Sequence, residues 1–278
     1  MEHYIDLHVH SNCSDGTMTP TELVEYAAKK GLSAIALTDH DTIKGIPEAT
    51  AAAETFGIEL IPGIEFSTNY QDKDIHILGL NVDVNNHHFT SNLQQFLDSR
   101  DVRNRKMIRL LQEHGIDISW DSMKQAFPDS VWTRANFARY LLDHHYIKTM
   151  QEAFTKYIGE DGPCYVPRER VSPYQAIRLI HDGSGYAILA HPLLYHFTDG
   201  QLETLVRSLT QAGLDGLEAI YSKNHWMDES NMRRLARKFH LKISGGSDFH
   251  GDNKPDIDIG TGRGNLKIPY SVWKQLQV

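Results

Sequence analysis

The feature that most narrows the fold is an alternation of short apolar runs with cleanly capped helical segments. Ile5, Leu7 and Val9 alternate with Asp6, His8 and His10, the two-residue period of a strand. Thr19-Pro20-Thr21-Glu22 is a capping box with proline at the first helical position, and it predicts a helix that stops at Gly31. Ala34 to Thr38 reads as a second strand, Ile46 to Phe56 as a helix ended by Gly57, and Glu59 to Ile61 as a third strand. Ile75, Ile77 and Leu80 mark a fourth. Strands and helices in this order point to parallel βα units.

The middle of the chain breaks the pattern. From about Thr90 to Ile158 no strand is expected, and the apolar spacing is helical. Met107, Ile108 and Leu111 carry one helix to Gly115, and Thr133 reads as the cap of another with Phe137, Leu141 and Leu142 inward. The alternation then resumes. Ser172-Pro173-Tyr174-Gln175 is a second capping box, and strands are expected at Tyr186 to Ala190, Gly216 to Ile220 and Leu241 to Ser244. The fold class expected is α/β: one barrel formed by residues 1–90 and 162–278, with a small helical domain inserted at 91–161.

The 278 residues, 40% of them hydrophobic, suffice for such a core. A net charge of -8 does not favour capture of long duplex nucleic acid, which needs a basic stripe. A short anionic ligand stays open, because bound metals would invert the charge locally. The two cysteines, Cys13 and Cys164, form no disulfide framework, the opening residues lack a signal-peptide pattern, and no apolar stretch approaches a membrane span. A cytoplasmic protein is expected.

Chemistry-bearing residues gather at expected strand ends. His8 and His10 leave one face of the first strand, and Asp15 lies in the loop after it. Thr38-Asp39-His40 ends the second strand, Pro62-Gly63-Ile64-Glu65 the third, and His76 lies within the fourth. Ala190-His191-Pro192 and Ser247-Asp248-Phe249-His250 end later strands. The carboxyl ends of barrel strands meet on one rim. Any single buried histidine is more often a core residue bonded to a carbonyl; it is the joint placement that points to divalent metals held by imidazole and carboxylate. Glu65 could bridge two ions, while Asp6 and Asp39 suit a supporting place behind the ligands.

These segments in this order resemble the polymerase and histidinol phosphatase (PHP) family over nearly the whole chain. The resemblance implies a distorted (β/α)7 TIM-like barrel that holds three divalent ions (Mn, Zn or Fe). Matched by position, His8, His10, Glu65 and Asp248 would hold the first ion, Glu65, His76 and His191 the second, and Asp15, His40 and His250 the third. Thr133-Arg134-Ala135-Asn136-Phe137-Ala138-Arg139 and Gly162-Pro163-Cys164-Tyr165-Val166-Pro167 are similar to segments of a stand-alone subfamily acting on nucleotides. That subfamily includes 3′,5′-nucleotide bisphosphate phosphatases and 5′→3′ exoribonucleases of short RNA. Histidine is common there where Asn136 stands here, which alters one substrate contact.

The expected activity is metal-dependent phosphoesterase chemistry on a small phosphorylated substrate: a 3′,5′-nucleotide bisphosphate (3′-phosphoadenosine 5′-phosphate to AMP), the 5′ end of short RNA, or both. A metal-bridging hydroxide, held by Glu65, His191 and Asp248, would attack, and the insertion would act as a lid that selects the substrate. Arg134, in the first turn of a helix, is either a phosphate grip or a surface salt bridge. Asn136, His196 and His225 are candidate substrate contacts, and the run Arg100, Arg103, Arg105, Lys106 and Arg109 is a solvated face or an anion-steering one. The rivals are an amidohydrolase-type C–N hydrolase and a non-catalytic nucleotide-binding PHP module.

Overall fold

The computed structural model describes residues 3–71, 73–128, 130–167, 172–225 and 227–278. Seven strands form one sheet in sequential order: β1 (Ile5–Val9), β2 (Ala34–Leu37), β3 (Glu59–Tyr70), β4 (Lys73–Leu80), β5 (Tyr186–Leu189), β6 (Gly216–Tyr221) and β7 (Lys242–Gly246). The sheet curls until its edges meet. Val9 bridges Phe249 in parallel, and the Asp248 N–H donates to His8 O at 2.9 Å. The result is a nearly closed, distorted barrel.

The helices form where the caps predict. α1 (Pro20–Lys29) carries the Thr19/Glu22 box, and α2 (Ile46–Phe56) ends on Gly57 at φ 69, a left-handed value that suits glycine. Both cover β2, where Leu23, Val24, Ala49 and Ala53 pack on Ile35 and Leu37. A second layer, built on α7 (Pro173–Asp182), α8 (Asp199–Gln211) and α9 (Asp228–Lys238), packs on the strands from β3 to β6. Strand side chains from β1 to β6 also meet Trp273 and Leu276 of the last helix, Ser271–Leu276.

One expectation fails at β3 and β4. β3 does not end at Glu65 but runs to Tyr70, and β4 returns beside it antiparallel, pairing Glu65 with Leu78 and Ser67 with His76. Only two positions separate the strands, far too few for the crossover that a parallel pair requires. β4 also pairs antiparallel with β5, so the sheet is mixed where uniform parallel units were expected.

Between β4 and α7 the chain is helical: α3 (His87–Glu113), α4 (Trp120–Ala126), α5 (Arg134–Asp143), α6 (Met150–Ala153) and a π-helical turn at Phe154–Ile158. α3 is continuous through residues 90 and 91. Its Phe89 and Leu93 pack with the barrel layer, while Met107 and Leu111 join a separate core with Phe137, Leu141, Ile158 and Cys164. No described helix is long and apolar enough to cross a membrane.

Candidate metal centre

The site is built on backbone that most side chains avoid. Asp41, His191 and Asp248 have φ of 55°, 27° and 58°. Strain of this kind persists only where the surroundings enforce it. Gly246 lies against β1 so closely that a Cβ there would sit 2.2 Å from His8 Cβ.

Glu65, fully buried on β3, is the hub. Its Oε1 lies 2.9 Å from His76 Nδ1 and 3.0 Å from His191 Nε2. Its Oε2 lies 3.3 Å from His8 Nε2, 3.2 Å from His10 Nε2 and 3.2 Å from His40 Nδ1. Asp248 Oδ1 is 3.7 Å from His8 Nε2 and 3.6 Å from His10 Nε2. Asp15 Oδ1 lies 3.2 Å from His250 Nε2, and its Oδ2 is 3.8 Å from His40 Nε2. The expected ligands therefore meet in one network, buried except for the partly exposed His76. Four overlapping groups have donor atoms within 4.8 Å of one another: His10/Asp15/His40/His250, His8/Glu65/His191, His8/His10/Asp248 and His40/Glu65/His76.

The donor set fits divalent cations. His8 Nε2 and His10 Nε2 face each other at 3.1 Å with Glu65 Oε2 between them in reach of both. Among the described residues, buried Glu65 Oε2 and His191 Nδ1 have no hydrogen-bond partner. Lone pairs crowded in this way, from imidazole and carboxylate without thiolate, suit Mn, Zn or Fe.

Burial opposes charge on Glu65, yet His8, His40 and His76 hold its carboxyl well below the usual range. Burial also opposes charge on His8, but the Glu218, Glu65 and Asp248 carboxylates push its pKa well above normal. His10 is driven well below by burial and by its neighbours His250 and His40, and burial lowers His40 to about 4. Protons and metal ions compete for these lone pairs.

Asp6 and Asp39 support the site through backbone and hydroxyls rather than through imidazoles. Asp6 accepts the N–H groups of Ser247 at 2.9 Å, His8 at 3.2 Å and Gly260 at 2.8 Å. Asp39 accepts Ser11 N–H at 2.8 Å and the hydroxyls of Ser11 and Ser14, each at 2.6 Å, which folds the loop that presents Asp15. The residue that grips an imidazole is one the sequence reading missed. Glu218 Oε1 lies 2.9 Å from His8 Nδ1, and Oε2 accepts the His191 N–H at 2.7 Å. An acidic residue inside the apolar strand run Gly216 to Ile220 was the available signal.

The helical segment meets the site directly. Thr133 Oγ1 donates to Asp15 Oδ2 at 2.8 Å, and Asn136 Nδ2 donates to Ser14 O at 3.1 Å. Asn136 is buried and completes the cap of α5 with Thr133. Arg100, from the run read as a basic face, is buried against Asp41 and bonds Ser67 Oγ at 2.9 Å and Trp132 O at 3.2 Å.

A cleft of about 170 Å³ opens beside the network, with Asp15, His40 and His76 on its lining together with Arg100, Arg103 and Arg134. Arg134 spans it, bonding Asp74 Oδ2 at 2.5 Å with its guanidinium 5.4 Å from the Tyr165 ring centre. His196 and His225 are exposed and lie outside this lining.

Comparison with known proteins gives a consistent picture. The PHP domain family model matches residues 6–234. A 5′-3′ exoribonuclease of Haemophilus influenzae is 40% identical, over 88% of this chain and 89% of that one. A 3′,5′-nucleoside bisphosphate phosphatase of Chromobacterium violaceum is 34% identical, over 98% and 96%. A solved amidohydrolase structure from Chromobacterium violaceum, with bound sulfate and no metal, superposes with a TM-score of 0.87 at 32% identity, covering 99% of this chain and 96% of that one.

Proposed function

Since this chain belongs to the PHP family of metal-dependent phosphoesterases, we propose that it hydrolyses a phosphate ester of a nucleotide: a 3′,5′-bisphosphate, the 5′ end of a short RNA, or both. The observation that carries the reading is the cleft in which residues of the imidazole–carboxylate network and three arginines line one space. Guanidinium groups facing such a network suit a phosphoryl group with further anionic oxygens. They suit a neutral amide far less, which disfavours a C–N hydrolase.

Three ions are assigned to the network: one to His8, His10, Glu65 and Asp248, one to Glu65, His76 and His191, and one to Asp15, His40 and His250. The split contacts of Glu65, with Oε1 toward His76 and His191 and Oε2 toward His8, His10 and His40, support its sharing between ions. Such ions, when bound, polarise phosphoryl oxygens and lower the pKa of water. The chain's own residues do the rest. Glu65, His191 and Asp248 would hold the ions that supply the attacking hydroxide. Glu218 fixes the His8 ring, and Asp39 with Thr133 holds Asp15 in place. Arg134 takes the non-reacting phosphate, while Asn136 acts through the cap of α5.

Residues 91–161 are assigned as a lid domain on a barrel of residues 1–90 and 162–278, and the protein to the cytoplasm. The test is a substrate panel with the manganese-loaded protein: 3′-phosphoadenosine 5′-phosphate, 5′-phosphorylated short RNA, histidinol phosphate and a simple sugar phosphate. Preference for the first two is expected. Turnover of none, with metal bound, would sink the reading.

A further inference from the structure

The Asp248 carboxylate is engaged at both oxygens, and the two ends do different things. Oδ1 faces the imidazoles of His250 (3.3 Å), His10 (3.6 Å) and His8 (3.7 Å). Oδ2 faces away and accepts from the Tyr221 hydroxyl at 2.8 Å and the Lys254 ammonium at 2.7 Å. The bond from Asp248 N–H to His8 O fixes the backbone, but a carboxylate's last torsion is broad and two-fold. The two oxygens are equivalent, so what has to be set is the angle of the carboxylate plane, which decides whether one oxygen or both point inward.

Lys254 reaches back by a built route. A single 3-10 turn, Gly251–Asn253, is closed by Lys254 N–H to Gly251 O at 3.0 Å. The turn is seated on the loop that carries Asp15: Asn253 Nδ2 donates to Asp15 O at 2.7 Å, and Asp252 N–H to Thr17 Oγ1 at 3.0 Å. Gly251, at φ 61, lies where a Cβ would meet Thr17 Oγ1, so the approach is tight. The partner of Lys254 is a buried carboxylate rather than a surface one, so the bond is not the screened surface pair that contributes little.

We propose that Lys254 is a positioning residue that, together with Tyr221, turns Asp248 so that one oxygen alone is offered to an ion held with His8 and His10. The inference rests on the metal assignment above. With the pin removed, Asp248 samples rotated and two-oxygen arrangements, and the ion it shares is held less firmly. Partners behind a metal ligand commonly set affinity within about 10–100-fold.

The experiment is manganese titration of the ion-stripped full chain, by calorimetry and by elemental analysis after gel filtration. It uses wild type, Lys254→Met, Lys254→Arg and Tyr221→Phe, with thermal melts confirming that each is folded. Lys254→Met should weaken at least one manganese site about tenfold or more, with kcat falling more than KM rises. Lys254→Arg should recover most of that affinity, and Tyr221→Phe should weaken the same site should the methionine variant not fold. Manganese affinity and stoichiometry in Lys254→Met equal to wild type, or tighter, would overturn the inference alone. A wild type that binds no manganese would overturn the metal assignment and the inference together.

Discussion

His8 and Glu218 form a buried pair in which Nδ1 of the imidazole lies 2.9 Å from Oε1 of the carboxylate. In the neutral ring this bond favours the proton on Nδ1 and leaves Nε2 to face His10 and Glu65, which is how a carboxylate behind a metal-binding histidine sets its tautomer. Glu218 also caps the strained His191 backbone through Oε2, so one side chain orients residues on β1 and after β5 at once.

Glu218→Gln follows as the most direct test. An amide can accept from only one of the two donors; the other then faces an N–H group. Metal affinity should fall about 10–100-fold, as for other partners behind metal ligands. Manganese titration of the folded variant measures it, and wild-type affinity would contradict the role given to this residue.

Asp39 supplies a pH prediction for the ion-free protein. Burial raises its pKa to about 6, against the lowering effect of the bonds from Ser11 and Ser14. An unfolded aspartate titrates near about 3.9. The folded state thus binds this proton more tightly, so the contribution is fully present below about pH 4 and lost as pH rises through about 6. The difference amounts to about 3 kcal/mol. Asp39→Asn removes the titration, so the stability advantage of wild type over the variant should shrink between about pH 4.5 and 6.5. Urea unfolding after chelator treatment reads the difference; a constant gap would refute it.

The residues proposed as ligands were legible because they lie in or just after short strands, and the two-residue period of β1, carried on to the next residue, puts His8 and His10 on one face. Asp248 and His250 lie beyond β7, which ends at Gly246, and Asp248 has a φ of 58°, so their place after a strand marked them rather than its period. Glu218 and Arg100 were not legible for the opposite reason. A lone acid in an apolar strand, or an arginine among other cations on a helix, has no local partner, and its meaning comes from contacts such as Arg100 with Asp41, fifty-nine positions away. The β3–β4 hairpin was hidden by Pro62-Gly63, which reads as a break. In the structure Pro62 ends the pairing with β2, and Gly63 starts the pairing with β4.

Arg100 gives a stability prediction. Its guanidinium and the Asp41 carboxylate are both buried, and Asp41 N–H donates to Glu65 O at 3.0 Å beside the hub. Removing one member of a buried ion pair costs about 3–5 kcal/mol, because the remaining charge keeps its desolvation penalty. Arg100→Met should show that loss in urea unfolding, and Arg100→Met with Asp41→Asn should recover part of it. A loss below about 1 kcal/mol in the single variant would mean that the pair is not buried in solution as it is here.

The role proposed for Arg134 can be tested separately from metal binding. Its guanidinium makes one bond to Asp74 and lies over the Tyr165 ring, and a bidentate grip on a phosphate would use the remaining N–H groups of its planar fork. Lysine keeps the charge but cannot hold that geometry. Arg134→Lys should therefore raise KM for a 3′,5′-nucleotide bisphosphate about tenfold or more, equivalent to about 1.4 kcal/mol per decade, with a smaller change in kcat. A simple phosphomonoester, which has no second phosphate for Arg134 to hold, should be turned over nearly as before, with manganese content unchanged. Equal loss on both substrates would place Arg134 in the chemistry itself rather than in the grip on the non-reacting phosphate.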